Sequence, residues 1–364
     1  MANKMSALEK AISDINKKFN CITDAGSLTL ERIPLSSPKL NYLSGGGVMR
    51  GRIHTFHGAE SGGKTVLATY IAGQVQKQKD IPNVVVLIDV ERTFDPQYAQ
   101  TVGLDISSSK FIYVRPPSGE DGFTILDNLI STGEIGCVIW DSVAATPSKK
   151  TFDKRVGEAN FGATASLMAE GLKFINPKIN DYGVVALFLN QVRAKIGGFM
   201  GFGPQDNTSV GGRSLPFYSS WICKVSKAEV ITSDKEAIGM TMKIKNVKSK
   251  ICTPFRSATL NLYYNTGFDV ESEFLDFFIS LGLVEMKGAW ITSDKYGIKV
   301  QGKVEFSKWL LEHPEEKASM EAEVNKIFAS KSIIEDIGSE DDEFLNQVDE
   351  YYDLNATAEE IERD

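Results

Sequence analysis

Gly58-Ala59-Glu60-Ser61-Gly62-Gly63-Lys64-Thr65 is a complete G-x-x-x-x-G-K-[ST] word. An apolar run, Arg52–His57, leads into it, and a helix-like run, Val66–Gln78, leads out. The word works only as a loop between a strand and a helix, and that is the setting found here. Its glycines let backbone N–H groups turn toward phosphate oxygens, and the helix that opens there adds its positive end. Lys64 is placed to reach the β- and γ-phosphates, and the Thr65 hydroxyl to join a Mg²⁺ shell. The stretch from Gly58 to Val66 therefore predicts a nucleoside-triphosphate site. It does not choose among the many proteins that carry such a loop.

Outward from the loop, strand-like and helix-like runs alternate. Apolar runs stand at 52–57, 84–88, 137–140 and 184–189, separated by helix-length stretches at 66–78, 121–131 and 158–176. Continuous apolar strands indicate a mostly parallel, twisted sheet buried on both faces by crossover helices, an α/β fold. Three of these strands end in Asp89, Asp141 and Asn190, and open sheets of this kind place ligands at their carboxyl ends. Asp141 reads as the acid that orients Mg²⁺. Glu91, just past the second strand, reads as the group that positions or deprotonates attacking water. Residues 194–214 interrupt the pattern with Gly197-Gly198, Gly201, Gly203 and Gly211-Gly212, a long loop of the kind that is usually functional.

The flanks read differently. Ser6 and Glu9 form a capping box at the start of a helix over 5–19. Leu8, Ile12, Ile15 and Phe19, with Ala11, line one stripe that needs a surface to cover. Pro34, Pro38 and Gly45–Gly47 then predict irregular structure. Beyond the loop come β-like runs at 221–231 and 240–263. A small module follows over about 270–330, helical at 272–282 and 304–312 with a turn at Gly288-Ala-Trp290.

Composition narrows the class. At 364 residues, 42% hydrophobic and 24% charged, the chain suits a soluble protein with one large domain and smaller attachments. No stretch approaches the ~18 apolar residues of a membrane span, and Met1–Lys10 has no signal-peptide core, so a cytoplasmic location is expected. Cys21, Cys137, Cys223 and Cys252 lack C-x-x-C spacing and read as free thiols. His54, His57 and His313 lack metal-ligand spacing, so nucleotide-bound Mg²⁺ is the one metal expected. The net charge of −8 conceals a division: residues 335–364 hold 13 acids and one Arg, leaving +4 for the rest. An acidic tail on a mildly basic body suits a nucleic-acid binder and equally a solubility device. The tail itself reads as disordered.

Longer words add a resemblance. The phosphate loop is followed by Ile88-Asp-Val-Glu91, Phe94-Asp-Pro-Gln-Tyr98, Trp140-Asp-Ser-Val-Ala144 and Asn190-Gln-Val-Arg-Ala-Lys-Ile-Gly197. After these come Gly211-Gly-Arg-Ser-Leu-Pro-Phe-Tyr218, Lys248-Ser-Lys-Ile-Cys-Thr-Pro-Phe255 and Gly288-Ala-Trp290. In order and spacing, from about residue 5 to 330, the chain resembles the bacterial RecA recombinase family. The resemblance implies a RecA-type P-loop ATPase core with an N-terminal helix and a small α+β C-terminal domain. Its divisions would be 1–33 for filament assembly, 34–269 for the core, 270–334 for gathering duplex DNA and 335–364 as an acidic tail.

Several roles follow from the resemblance. Glu91 would activate water, Asp95, Tyr98 and Tyr264 would hold adenine, and Gln191 would sense the γ-phosphate. Lys248 and Lys250 would reach the neighbouring subunit's ATP. A first DNA loop would lie near Gly157–Gly162 and a second at Arg193–Arg213. Phe161, Ile196, Phe199 and Met200 would wedge between bases, while Arg193, Lys195, Gly211, Gly212, Arg213 and Lys173 would bind phosphates. Lys227, Lys243 and Lys245 are equally a secondary DNA site or an exposed strand face, and Lys299 and Lys303 are further duplex contacts. Ser166 stands where the family has an arginine, Val66 replaces a second threonine, and His57 replaces an aromatic residue. The implied cofactors are ATP and Mg²⁺. The implied partners are single-stranded DNA, homologous double-stranded DNA, further copies of the chain in a helical filament and a self-cleaving repressor, with no membrane. A hexameric helicase or a nucleotide-gated scaffold would share the core fold. If the tail competes with DNA phosphates for basic surface, removing residues 335–364 strengthens duplex binding at low salt in a filter or anisotropy assay. Unchanged binding would leave the tail a solubility device.

Overall fold

The computed structural model describes residues 6–19, 21–22, 31–152, 162–191, 214–280 and 282–329. The segment after Gln191 expected to be a second DNA loop, most of the expected first one and the acidic tail lie outside these residues. The chain divides into two compact units, Met1–Glu31 and Arg32–Asp364. In the first, helix α1 (Ala7–Phe19) begins with the expected reciprocal cap: Ser6 N donates to Glu9 Oε2 at 2.7 Å, and Glu9 N to Ser6 Oγ at 3.1 Å. None of its residues is buried, and Leu8 and Phe19 stand 69% and 61% exposed.

In the second unit, strands β1 (Arg32–Ile33) and β2 (Val48–Met49) bracket helix α2 (Pro38–Ser44). The prolines and glycines that predicted irregular structure here instead mark the ends of that helix. Pro38 sits in its first turn, where a missing N–H costs nothing. Ser37 caps the start by accepting from Leu40 N, and Gly45, at φ 72, closes the end with its N–H turned back to Tyr42 O.

The main sheet holds β3 (Arg52–Gly58), β4 (Val84–Asp89), β5 (Phe111–Val114), β6 (Ile135–Asp141), β7 (Val185–Gln191), β8 (Ser219–Ser233), β9 (Glu236–Ser249), β10 (Ser257–Tyr263) and β11 (Gly267–Phe268). Their order is β11-β10-β9-β8-β3-β7-β6-β4-β5, parallel from β8 to β5 and antiparallel beyond β8. Helices α3 (Lys64–Gln76), α4 (Pro96–Thr101), α5 (Gly119–Ile130), α6 (Lys149–Phe152), α7 (Ala163–Asp181) and α8 (Ser214–Tyr218) join these strands.

Alternate side chains of each parallel strand enter opposite cores, which is why the strands read as unbroken apolar runs. Phe56, Leu87, Ile139 and Leu187 pack with Leu67 and Ile71 of α3. Ile53, Ile88, Trp140 and Phe188 pack with Phe123 of α5 and Leu172 of α7. The run at 240–263 proves to be two strands, parted where Phe255 takes φ 68. The helix expected over 158–176 is described from Ala163 and continues through Pro177 to Asp181.

The C-terminal elements are α9 (Val270–Ser280), β12 (Glu285–Lys287), β13 (Trp290–Ser293), β14 (Ile298–Gln301), α10 (Gly302–Glu312) and α11 (Pro314–Ala329). They share a core of Leu275, Phe278, Ile291, Phe306, Leu310 and Met320, which Tyr42 of α2 joins. Where α9 meets α2, Glu273 is 2% exposed. Its Oε2 accepts from Ser37 Oγ and, at 3.4 Å, from Lys39 N, while its Oε1 has no partner among the described residues. Burial pushes this carboxyl up to about 7; Ser37 and Lys39 oppose the shift and Asp269 adds to it.

A raised carboxyl pKa means that the folded state holds the proton more tightly than the unfolded chain. No penalty applies below the unfolded value near 4.5. The penalty grows between that value and 7, then stays constant above. Glu273→Gln should therefore raise the unfolding free energy from urea titration relative to wild type at pH 8, by up to about 3 kcal/mol, and much less at pH 5. Equal gains at both pH values would show that the charge is not the cause.

Candidate active site

Register builds the site. Parallel pairing sets Gly58 of β3 beside Gln191 of β7, and Asp89 of β4 beside Asp141 of β6, all at the carboxyl edge of the sheet. The phosphate loop begins there and must turn sharply. A Cβ on Gly58 would sit 2.0 Å from the Val225 carbonyl oxygen, and one on Gly63, at φ 91, would strike Met242. Both positions therefore need glycine. Gly63 caps α3 without a side chain, and no acid occupies the first turn of that helix. Its leading N–H groups are thus donors suited to phosphate. Ala59, Glu60 and Ser61 line the exposed side of the turn, Gly62 is buried, and Val66 turns toward the core.

Lys64 is 8% exposed. Its Nζ donates to Gly58 O at 3.0 Å and Ala59 O at 2.6 Å. Burial pulls its pKa down, while Asp141, Glu91 and Glu60 pull it back up. Thr65 Oγ1 donates to Asp141 Oδ2 at 2.7 Å. Burial, chiefly, pushes Asp141 up to about 6; Glu91 and Asp89 add to the rise, and Thr65 and Lys64 oppose it. The acids here exceed what one lysine neutralises, a balance that fits a divalent cation. Among the described residues no group of three or more His, Cys, Asp or Glu could hold a metal. Phosphate oxygens would have to complete the shell around Thr65 and Asp141.

Glu91 lies directly beside this pair. Val90 N and Glu91 N donate to the Asp141 carbonyl at 2.7 and 3.3 Å. The Glu91 carboxylate accepts from Ser142 Oγ and, at 2.8 Å, from Gln191 Nε2. Ser142 was not singled out by the sequence; a hydroxyl directly after the strand-end acid is the only signal it carried. His57 stands in register between Asn190 and Lys224. Burial, then Lys224 and Lys64, push it down to about 4, so it is neutral at pH 7.

Asp95 caps α4, and its Oδ1 accepts from Gln97 N at 2.9 Å and Tyr98 N at 3.1 Å. The Tyr98 phenol is pushed up by burial and by nearby Tyr264, which is 41% exposed, so the two rings share one locality. Lys248 and Lys250 are engaged elsewhere. Lys248 Nζ donates to Pro216 O, and Lys250 Nζ donates to Phe217 O at 2.9 Å, with the Phe217 ring 5.6 Å away.

Lys173 is exposed on α7, and the Ser166 hydroxyl donates to Glu170 at 3.2 Å. Lys227, Lys243, Lys299 and Lys303 are exposed, and Lys245 is half-buried. Phe161, Arg193, Lys195, Ile196, Phe199, Met200, Gly211, Gly212 and Arg213 lie outside the described residues. No helix among the described residues is long and apolar enough to cross a membrane.

Comparison with known proteins agrees with this geometry. Residues 6–269 match the family model of the RecA N-terminal domain. Protein RecA of Ruminococcus albus is 36% identical over 335 residues, covering 90% of this chain and 81% of the relative. Protein RecA of Limosilactobacillus reuteri is 35% identical, with 86% and 85% covered, and that of Heliobacterium modesticaldum is 34% identical, with 88% and 92% covered. With a matching core model and relatives aligned over most of both chains, the protein belongs to the RecA family.

Proposed function

We propose that this chain is an ATP-dependent recombinase that assembles on single-stranded DNA as a helical filament, pairs that strand with homologous duplex and exchanges strands. The observation that carries the proposal is the Gln191–Glu91 hydrogen bond. It joins the acid beside the phosphate loop to the residue that opens the second DNA loop. The Gln191 amide can donate to Glu91 or to a γ-phosphate oxygen. Nucleotide state thereby shifts the backbone that follows and, with it, DNA affinity.

In hydrolysis, Lys64 and the N–H groups that open α3 hold the phosphates. Glu91 accepts a proton from water as the water oxygen bonds to the γ-phosphorus. The bond to the bridging oxygen breaks, and ADP leaves with its electron pair. Thr65 and Asp141 would hold a Mg²⁺ ion, which would supply charge neutralisation to the phosphate groups. Tyr98 and Tyr264 stack on the adenine, and Asp95 accepts from its exocyclic amine.

Lys248 and Lys250 act in trans on the ATP of the adjacent protomer, stabilising transition-state charge. Within their own chain their amines donate to the Pro216 and Phe217 carbonyls rather than to the residues of the phosphate loop, which supports that assignment. The exposed stripe of α1 docks on a neighbouring copy in a head-to-tail contact that does not close. Lys173 and the loop at 193–213 bind the DNA backbone. Base pairing, not the protein, reads sequence.

Joint-molecule formation between circular single strands and homologous linear duplex, with ATP, tests the proposal. Unwinding of a forked duplex without homologous pairing would favour the helicase reading instead. Lys248→Ala combined with Lys250→Ala should abolish DNA-stimulated ATP hydrolysis while the free monomer binds ATP nearly as wild type. Surviving turnover would remove the trans role.

A further inference from the structure

Asp89, the buried acid that ends β4 two residues before Glu91, takes no part in the chemistry set out above. At 2% exposure its carboxylate is filled by the protein's own donors. Arg92 N donates to Oδ1 at 2.7 Å, while Phe94 N and Tyr113 Oη donate to Oδ2 at 3.2 and 2.9 Å. Three donors on two oxygens leave little capacity for a metal ion. This separates Asp89 from Asp141, its neighbour across the sheet.

The three bonds shape the segment that carries Glu91. Those from Arg92 N and Phe94 N fold residues 90–94 back over the strand end. They hold Arg92 at φ 60, a left-handed conformation that a non-glycine residue adopts only with support. Phe94 stacks on Phe111 at 5.2 Å and lies 5.4 Å from the Tyr113 ring. Tyr113 is 41% exposed on the edge strand β5, yet its hydroxyl reaches a buried acid. Glu91 thus hangs from a turn fixed on one side by Asp89 and Tyr113, and on the other by the Asp141 carbonyl.

We infer that Asp89 and Tyr113 are positioning residues for hydrolysis: their hydrogen bond locks the turn after β4 and fixes where Glu91 presents its carboxylate to water. This deepens the proposed ATPase reaction and rests on Glu91 as the water-activating acid. A misplacement of about 1 Å at such a group can cost about a hundredfold in rate, so a bond that fixes the turn acts on turnover more than on binding.

Tyr113→Phe keeps the ring against Phe94 and deletes one hydrogen bond at a partly exposed position. Steady-state ATP hydrolysis on single-stranded DNA should show kcat lowered about threefold to tenfold, with KM for ATP unchanged. Asp89→Asn, which sets an amide group among N–H and O–H donors, should lower kcat about a hundredfold. In a Glu91→Gln background, Tyr113→Phe should add no further loss. A wild-type kcat for Tyr113→Phe, or a loss expressed as a raised KM, overturns the inference. If Glu91→Gln alone turns over at the wild-type rate, it is the assignment of Glu91 that falls, and the positioning role falls with it.

Discussion

The in-register parallel pairing of β3, β7, β6 and β4 is the constraint on which the site depends. Pairing fixes which residues end level with one another, and so Gly58, Gln191, Asp141 and Asp89 share one edge. A slip of one residue in any of these strands would turn its apolar side chains to the wrong core. It would also part the lysine of the phosphate loop from the acids that face it. Burial on both faces is what makes such a slip costly. The same packing that stabilises the sheet therefore sets the position of each polar group at its edge.

That edge gathers more negative than positive charge. Glu91 and Asp141 both act on Lys64, and burial first, then Glu91 and Asp89, push Asp141 up. Protein donors relieve the other two acids, Asp89 through backbone N–H groups and a phenol, Glu91 through Ser142 and Gln191. Among the described residues the Asp141 carboxylate accepts only from the Thr65 hydroxyl, and it keeps a deficit. The three acids look alike in sequence. Their partners set them apart, and in the proposed reaction one shapes a turn, one would act as base and one would hold the cation.

Much of this was legible in the residues. The phosphate loop, the four core strands and the acids that close two of them follow from local spacing and apolar runs, because a buried parallel strand has few other ways to be written. Helix α2 was not legible: its proline and glycine signals are the same whether they end a helix or break one, and only the packing of Leu40 and Leu43 decides. The division of 240–263 turned on one left-handed residue, Phe255, which carries no mark in sequence. Tyr113 escaped for another reason. Its role comes from β4 and β5 lying side by side, and no run of residues along the chain states which strands are neighbours.

Thiol placement offers an experimental handle. Cys137 and Cys223 are fully buried in the sheet, and burial drives both thiols far from ionisation at neutral pH. Cys252 is half-covered, with its Sγ against Ser249 Oγ and the Leu43 carbonyl. Cys21 alone among the four is exposed, two residues past the end of α1. The native chain thus brings its own selective labelling position, so a maleimide dye can be set beside the helix proposed to dock on a neighbour without removing any other cysteine.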